Sequence, residues 1–166
     1  MILSDKHIQE CIQRGIFLVN PFNPEYLQPS SVDLHLGSEI KTVDGDCIQL
    51  EEDVSYCLKP KEFVLGSAIE EVNIPIDVVG HVDGRSSIGR LGVFIHVSSG
   101  FIDAGFKGNI TLEIFNCSDK EFKLEYGESI CQILFQQLSS PCLRPYGSAG
   151  LGSKYQGSKG TVESRL

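Results

Sequence analysis

The 166-residue sequence predicts a mainly β domain that carries one short helix near its N-terminus. Two observations predict this fold class. Short apolar runs recur between residues that favour turns, and only one stretch shows the periodicity of an amphipathic helix. Strands of this kind, with no long helical pattern between them, indicate an all-β barrel or sandwich and argue against a doubly wound α/β fold.

The helix is predicted between Ser4 and Gly15. Ser4 is a favourable N-cap, and Gly15 ends the helical pattern. Ile8, Cys11 and Ile12 recur at a spacing that places them on one helix face, so we expect that face to be buried.

The predicted strands follow the helix. The sequence SVDLHLG at residues 31–37 alternates with period two, which is typical of a half-buried strand. Further short apolar runs are bounded by Gly, Pro, Asp, Asn or Ser, and each of them predicts a strand. These runs span residues 63–65, 78–82, 93–97, 110–115 and 130–135.

Two segments differ from the rest in composition. Residues 39–71 hold nine acidic residues against three lysines, which we interpret as a solvated outer surface. Residues 147–166 are rich in Gly and Ser with few apolar anchors, which predicts a flexible tail of the single domain 1–166. The cations in this tail, Lys154, Lys159 and Arg165, would also let it order over an anionic ligand.

Charge and cysteine content exclude several classes of protein. The formal net charge of −8 argues against a protein that coats polymeric nucleic acid. The sequence contains no run of 18 apolar residues, so it predicts no membrane span, and no secretory signal is visible at the N-terminus. The six cysteines form no CxxC pair and have no His at metal-ligand spacing, so we expect reduced, mostly buried thiols in a cytoplasmic protein.

The segment GRSSIGRLG, residues 84–92, is the first candidate binding element. It follows an apolar strand, and Ser86 and Ser87 could cap a helical turn whose free N–H groups hold a phosphate. Arg85 and Arg90 would add charge-assisted donors. A capped surface turn explains the bare pattern equally well.

Two carboxylates are candidates for proton or water chemistry. Asp103 lies in a predicted tight turn, where it could also serve only as a turn cap. Glu113 lies within an apolar strand, on the opposite face from Ile110, Leu112 and Ile114. A half-buried glutamate there could have a raised pKa and carry protons, whereas spacing alone favours a solvent-facing one.

Several catalytic motifs are missing from the sequence. It has no P-loop, no H-x-E deaminase motif with a paired P-C-x-x-C, and no G-x-S-x-G elbow. Hydrolytic chemistry would therefore have to activate water without a zinc site.

The segment GRSSIGRLGVFIHVSSGFIDAGFKGNITLEIFN resembles the central block of the dCTP deaminase branch of the dUTPase superfamily. SVDLHLG and PYGSAGLGSKYQGSKGTVESR fit the same branch, so the resemblance covers residues 1–166. It implies a distorted β-barrel or jelly-roll-like dUTPase fold and homotrimers with active sites at subunit interfaces. It also implies dCTP or dUTP as substrate, Mg²⁺ bound through the substrate phosphates, no zinc, and dTTP as a feedback inhibitor.

The resemblance also assigns roles to residues. Glu113 would shuttle protons for attack of water at C4 of cytosine, and Arg90 would orient the base edge and stabilise charge. Asp103 would position a water toward the α-phosphorus. The implied substrate-binding residues are Arg85, Ser86, Ser87, Ser99, Ile102, Tyr146, Lys154 and Gln156.

The released product separates the alternatives. The sequences SGFIDAGF and GSKYQGSKG resemble members that deaminate dCTP and also cleave the triphosphate, giving dUMP and pyrophosphate. A deaminase that releases dUTP, a dUTP pyrophosphatase without deamination, and a non-enzymatic nucleotide-binding module remain alternatives. Ser99 and Ser158 depart from the family pattern, which usually has Ala and Gln there.

Overall fold

The computed structural model describes residues 1–98 and 100–166, so the predicted contact at Ser99 lies outside the described residues. The helices are α1 (Asp5–Gln13), a 3-10 turn (Pro24–Tyr26) and α2 (Ser86–Gly89). The strands are β1 (Leu18–Asn20), β2 (Leu27–Gln28), β3 (Ser31–His35), β4 (Glu39–Thr42), β5 (Cys47–Gln49), β6 (Tyr56–Leu58), β7 (Phe63–Asn73), β8 (Val78–Gly84), β9 (Val93–Phe94), β10 (Phe101–Ile102), β11 (Lys107–Asn116), β12 (Phe122–Leu124) and β13 (Ser129–Gln137). The predicted mainly β fold with one main helix is confirmed.

The strands form two larger antiparallel sheets and one short antiparallel pair. The first sheet has the order β5-β4-β7-β11-β9, with β1 also paired to β7. The second has the order β10-β8-β13-β3-β2, and β12 pairs with β6. Within the described residues the two larger sheets stay open and share one apolar core, so the molecule is closer to a jelly roll than to a closed barrel.

Strand β11 confirms the predicted alternation. Ile110, Leu112 and Ile114 are buried in the core, whereas Thr111 and Glu113 on the opposite face are only half-buried. The long antiparallel ladder with β7 fixes this register, so the side chain of Glu113 lies on the face away from the core.

The helix α1 also follows the prediction. The Ser4 hydroxyl accepts a hydrogen bond from the backbone N–H of His7 at 3.5 Å, and Ile8 and Cys11 are buried. Gly15 follows the helix with a positive φ of 67°, a conformation that glycine adopts without steric cost.

Strand β3 departs from its predicted pattern, because both of its faces are buried. The ring of Tyr26 packs on His35 with centroids 4.1 Å apart, and Glu70 contacts the same imidazole from β7. Alternation predicts a half-buried strand, but here the polar face of the strand lies under other elements. Its polar side chains are therefore paired inside the protein.

The C-terminal segment 147–166 returns to the first sheet. Ser158 forms a parallel bridge with Gly108, and the Thr161 hydroxyl donates to the Glu39 carbonyl at 2.9 Å. Ser158 and Thr161 are both buried. The predicted flexibility of this segment stays a prediction.

The cysteines are all free, but the expectation that most are buried is wrong. Only Cys11 and Cys131 are buried, and Cys47 and Cys57 are exposed on short strands near the surface. In the part of the chain that the structure describes, no helix has the length and apolar character needed to cross a membrane.

Candidate functional site

A cavity of about 480 Å³ lies between the polar face of β11, the turn that follows β10, and the C-terminal segment. Four residues expected in the active site line it: Ile102, Asp103, Glu113 and Tyr146. Its walls are completed mainly by aromatic and aliphatic side chains, among them Phe63, Leu65, Phe101, Phe106, Ile110, Tyr155 and Val162. Carboxylates in a largely apolar recess are suited to proton transfer with restricted access to water.

Glu113 is held by the loop that follows β9. Its Oε2 accepts hydrogen bonds from the backbone N–H and the hydroxyl of Ser98, both at 2.9 Å. The backbone N–H of Val97 donates to the Glu113 carbonyl at 3.2 Å. The carboxylate is therefore fixed at the cavity wall by a neighbouring segment as well as by its own strand.

His96 is a cavity residue that sequence reasoning missed. Its Nδ1 accepts from the backbone N–H of Glu113 at 3.4 Å, so the neutral imidazole carries its proton on Nε2. In VFIHVSS, polar side chains follow an apolar strand, and this pattern could have marked His96 as a candidate. Its meaning depended on the pairing of β9 with β11, which the sequence does not give.

Asp103 occupies the predicted tight turn. The backbone N–H of Phe106 donates to the Asp103 carbonyl at 3.1 Å, which closes the turn between β10 and β11. Gly105 has a φ of 92°, and a Cβ there would lie 2.5 Å from the Cβ of Pro145. Glycine is therefore required at this position, and the close approach brings Tyr146 next to the turn.

Gln156 lies beside this turn, outside the residues that line the cavity. Its Nε2 donates to the carbonyls of Gly105 at 2.8 Å and Tyr146 at 3.1 Å, and its Oε1 accepts from the Lys107 N–H at 2.9 Å. The whole amide group is engaged by the backbone, so its contacts in this structure hold the tail against the turn. Its role in substrate binding stays a prediction.

The segment GRSSIGRLG forms the expected strand, turn and short helix. The hydroxyls do not cap the helix, because α2 begins at Ser86 and Arg85 occupies the N-cap without a side-chain hydrogen bond. Ser86, Ser87 and Arg90 are all exposed. They therefore present two hydroxyls and a guanidinium group to solvent, which are donors suited to an anion.

Arg85 is partly held by the second sheet. Its Nη1 donates to the Ser129 carbonyl at 3.4 Å, and its Nη2 lies 3.8 Å from Oδ2 of Asp33. Asp33 is itself largely buried and accepts from the Gln28 amide at 3.3 Å. The second sheet therefore contacts both terminal nitrogens of the guanidinium, whose remaining N–H groups are donors for a ligand.

The predicted site residues thus fall into two sets. One set surrounds Glu113 and Asp103, and the other extends from the second sheet and the tail. In residues 1–98 and 100–166, the cavity around Glu113 is not lined by Arg85, Ser86, Ser87, Arg90, Lys154 or Gln156.

A second cavity, of about 430 Å³, adjoins the first. It shares Phe101, Asp103 and Tyr146 with the larger cavity and adds the guanidinium of Arg144. Asp103 therefore lies at the boundary between two recesses.

A buried hydrogen bond between a histidine and a carboxyl group lies outside both cavities. Glu70, only 2% exposed, accepts from Nδ1 of His35 at 2.7 Å and from the His35 N–H at 3.0 Å. The interpretation of residues 39–71 as solvated surface is wrong for Glu70, because β7 carries it into the interior. Burial raises the pKa of the Cys131 thiol, and the nearby carboxylates of Glu70 and Asp33 add to this shift.

Sequence comparison finds relatives that carry the name dCTP deaminase. A family model described as dCTP deaminase-like matches residues 2–138. A protein of Methanosphaera stadtmanae named "dCTP deaminase, dUMP-forming" is 40% identical, and the match covers 99% of this chain and 93% of that protein. A protein of Aquifex aeolicus with the same name is 41% identical over 100% of this chain and 95% of its own length.

Solved structures share the fold. A 2′-deoxycytidine 5′-triphosphate deaminase from Agrobacterium tumefaciens matches with a TM-score of 0.71 and 22% identity over 82% of this chain. The match spans about half of that deaminase chain, 47% of its length. The dUTPase of Staphylococcus bacteriophage 80alpha matches with a TM-score of 0.52 and 19% identity, covering 77% of this chain and 94% of that one.

Proposed function

Because the chain belongs to the dCTP deaminase-like family, we propose that it deaminates dCTP and cleaves the triphosphate, releasing dUMP, pyrophosphate and ammonia. The observation that carries the proposal is the meeting of Glu113 and Asp103 in one cavity. Deamination and triphosphate cleavage each need an activated water, and the two carboxylates supply one candidate group for each step.

Glu113 serves the deamination step. It first takes a proton from water and delivers it to N3 of cytosine as the water oxygen bonds to C4. It then moves the proton of the new C4 hydroxyl to the amino group as the C4–N bond breaks and ammonia leaves. Positioned proton transfer of this kind contributes about 10²- to 10⁴-fold to the rate. Arg90 supplies positive charge near the reacting base.

Asp103 serves the cleavage step. It orients a second water, whose oxygen bonds to the α-phosphorus as the bond from that phosphorus to the oxygen shared with the β-phosphorus breaks. Pyrophosphate leaves, and the proton of the water is released to solvent. Its position between the two cavities supports this role, because Asp103 and Tyr146 line both recesses and Ile102, an expected substrate contact, lines the larger one.

The separation of the two residue sets supports a site shared between subunits. Arg85, Ser86 and Ser87 bind the phosphates, but they do not line the cavity of their own chain among the described residues. A homotrimer, in which the phosphate-binding segment of one subunit meets the Glu113 cavity of the next, completes the site. Lys154 and the C-terminal tail then approach the triphosphate.

Mg²⁺ is proposed to enter with the triphosphate. This ion usually binds through one or two carboxylates plus substrate phosphates and keeps several waters. In residues 1–98 and 100–166 no group of three or more His, Cys, Asp or Glu could hold a metal ion. Its charge would polarise the phosphates. Feedback inhibition by dTTP and a cytoplasmic location remain predictions.

One product analysis tests the proposal. The protein is incubated with dCTP and Mg²⁺, and ammonia, dUTP, dUMP and pyrophosphate are resolved over time. We expect ammonia, dUMP and pyrophosphate to rise together with little free dUTP.

The other products identify the alternatives. Ammonia with accumulating dUTP would show a deaminase without cleavage. Cleavage of supplied dUTP without ammonia from dCTP would show a pyrophosphatase. Nucleotide binding without turnover would show a non-enzymatic module.

A further inference from the structure

Ser98 contacts the proton carrier without lining the cavity, among the residues that the structure describes. Its N–H and its hydroxyl both donate to Glu113, each at 2.9 Å. Both bonds end on the same oxygen, Oε2. A carboxylate oxygen has two lone pairs, so these donors occupy Oε2 and leave Oε1 as the oxygen available to a substrate.

The surrounding loop reinforces this orientation. The Val97 N–H donates to the Glu113 carbonyl at 3.2 Å, and the Glu113 N–H donates to His96 Nδ1 at 3.4 Å. Residues 96–98 thus bind Glu113 through both its main chain and its side chain.

We propose that Ser98 is a positioning residue that determines which oxygen of Glu113 carries the proton during deamination. Oε2 remains a hydrogen-bond acceptor throughout. Oε1 takes a proton from water and delivers it to N3, and it then takes the proton of the C4 hydroxyl and delivers it to the amino group. The inference rests on the proposed function of Glu113. It goes beyond that function by assigning the two oxygens different tasks and naming the residue that separates them.

Two substitutions at Ser98 test the role of the hydroxyl. In Ser98→Ala the hydroxyl is lost, and we expect kcat for ammonia release from dCTP to fall about 10- to 100-fold with KM unchanged, as expected for loss of a hydrogen bond to a charged group. In Ser98→Thr the hydroxyl is kept, and we expect kcat within about threefold of the original. The exposed Ser140, in the turn after β13, provides a matched control as Ser140→Ala, with unchanged kcat.

A second readout separates positioning from general damage to the site. Pyrophosphate release from supplied dUTP depends on Asp103 and not on Glu113, so Ser98→Ala should leave its rate unchanged. In a Glu113→Asp background, we expect the shorter carboxylate to lose the Ser98 contact. Adding Ser98→Ala there should change kcat less than twofold, because substitutions that remove the same contact are not additive.

The results also separate this inference from the proposed function. If the unmodified protein releases no ammonia, the proposed function itself is wrong. If it releases ammonia normally and Ser98→Ala keeps its kcat, the positioning role is wrong. Equal losses in the Ala and Thr variants, or an equal loss of dUTP cleavage, would also overturn the role of the hydroxyl.

Discussion

At the scale of single residues, the alternation of β11 gave the correct face for Glu113 but not its surroundings. The apolar residues on either side predict a side chain turned from the core, and the structure places it there. Its partner Ser98 lies 15 positions earlier, across a pairing between β9 and β11 that no local pattern encodes. Local spacing therefore predicts orientation, while contacts between distant segments need the fold.

Glu113→Gln should abolish ammonia release while dCTP still binds. The amide keeps the shape of the side chain but cannot take a proton from water, so we expect kcat to fall by about 10²- to 10⁴-fold. A deamination assay measures ammonia release, and calorimetric titration with dCTP and Mg²⁺ measures binding.

Asp103→Asn is the matched comparison for Glu113→Gln. It should retain ammonia release and accumulate dUTP, because only the second water loses its orienting group. Normal ammonia release by Glu113→Gln would remove this residue from the mechanism.

Glu128 gives a stability prediction. Burial raises the pKa of its carboxyl, and Glu125 adds to the shift, while a backbone hydrogen bond and Arg85 oppose it. The folded state thus favours the protonated form, so the stability linked to Glu128 is present at low pH. It is lost as pH rises from the ordinary glutamate value of about 4.3 into the raised range.

Glu128→Gln should therefore raise Tm at pH 7 by about 1–2 °C and have little effect near pH 4. Thermal melts of both proteins across this pH range are the measurement. The exposed Glu52 supplies the control as Glu52→Gln, whose Tm should follow the original protein at every pH. A Tm difference at pH 4 as large as that at pH 7 would contradict the ionisation argument.

At the scale of elements, apolar runs predicted the strands β3, β7, β8, β9, β11 and β13, although β9 ends at Phe94 rather than at residue 97. The short strands β1, β2, β4, β5 and β10 and the course of the tail were not predicted. Apolar runs bounded by turn residues predict strands because each must bury one face. The tail lacks such runs and is held instead by polar contacts, including the ion pair of Lys159 with Glu71 and the bridge of Ser158 with Gly108. Contacts of this kind leave no periodic signal.

Gly108→Ala should displace the tail. Gly108 has a φ of 137°, and a Cβ there would lie 2.6 Å from the Ser158 carbonyl oxygen and 2.8 Å from its nitrogen. Because Tyr155 and Val162 of the tail line the Glu113 cavity, we expect turnover of dCTP to fall at least about tenfold, the result of misplaced groups around a reacting centre.

Gly127→Ala is the control for Gly108→Ala. Gly127 also has a positive φ, of 75°, but a Cβ there meets nothing within 4 Å. It should lower Tm through backbone strain and leave kcat unchanged. Equal losses of kcat in both variants would mean that the tail contact has no specific effect.

At the scale of the whole molecule, the predicted site residues do not all line one cavity within the described part of the chain. The resemblance to known sequences assigns Arg90 and Glu113 to one chemistry, but Arg90 does not line the described cavity around Glu113. Sequence alone names the participants without saying which chain supplies each one. The proposed subunit interface would explain why residues with one task do not all line the same cavity.

Mixed subunits test this arrangement. Arg90→Ala and Glu113→Gln should each be inactive alone, and refolding them together should restore part of the deaminase activity. Mixed homotrimers would contain some interfaces with an intact pair, whereas sites built within one chain would gain nothing from mixing. Ammonia release before and after joint refolding is the measurement, with sedimentation to report the assembly.

The two faces of strand β11 also limit which substitutions the protein can accept during evolution. Its buried face holds Ile110, Leu112 and Ile114 in the core, and its other face holds Glu113 against the cavity. A change of volume at Leu112 would shift the strand and move the carboxylate with it, since close-packed interiors transmit strain. Packing of the core and the position of Glu113 therefore depend on the same ten residues of β11. A substitution on the buried face of the strand must preserve both.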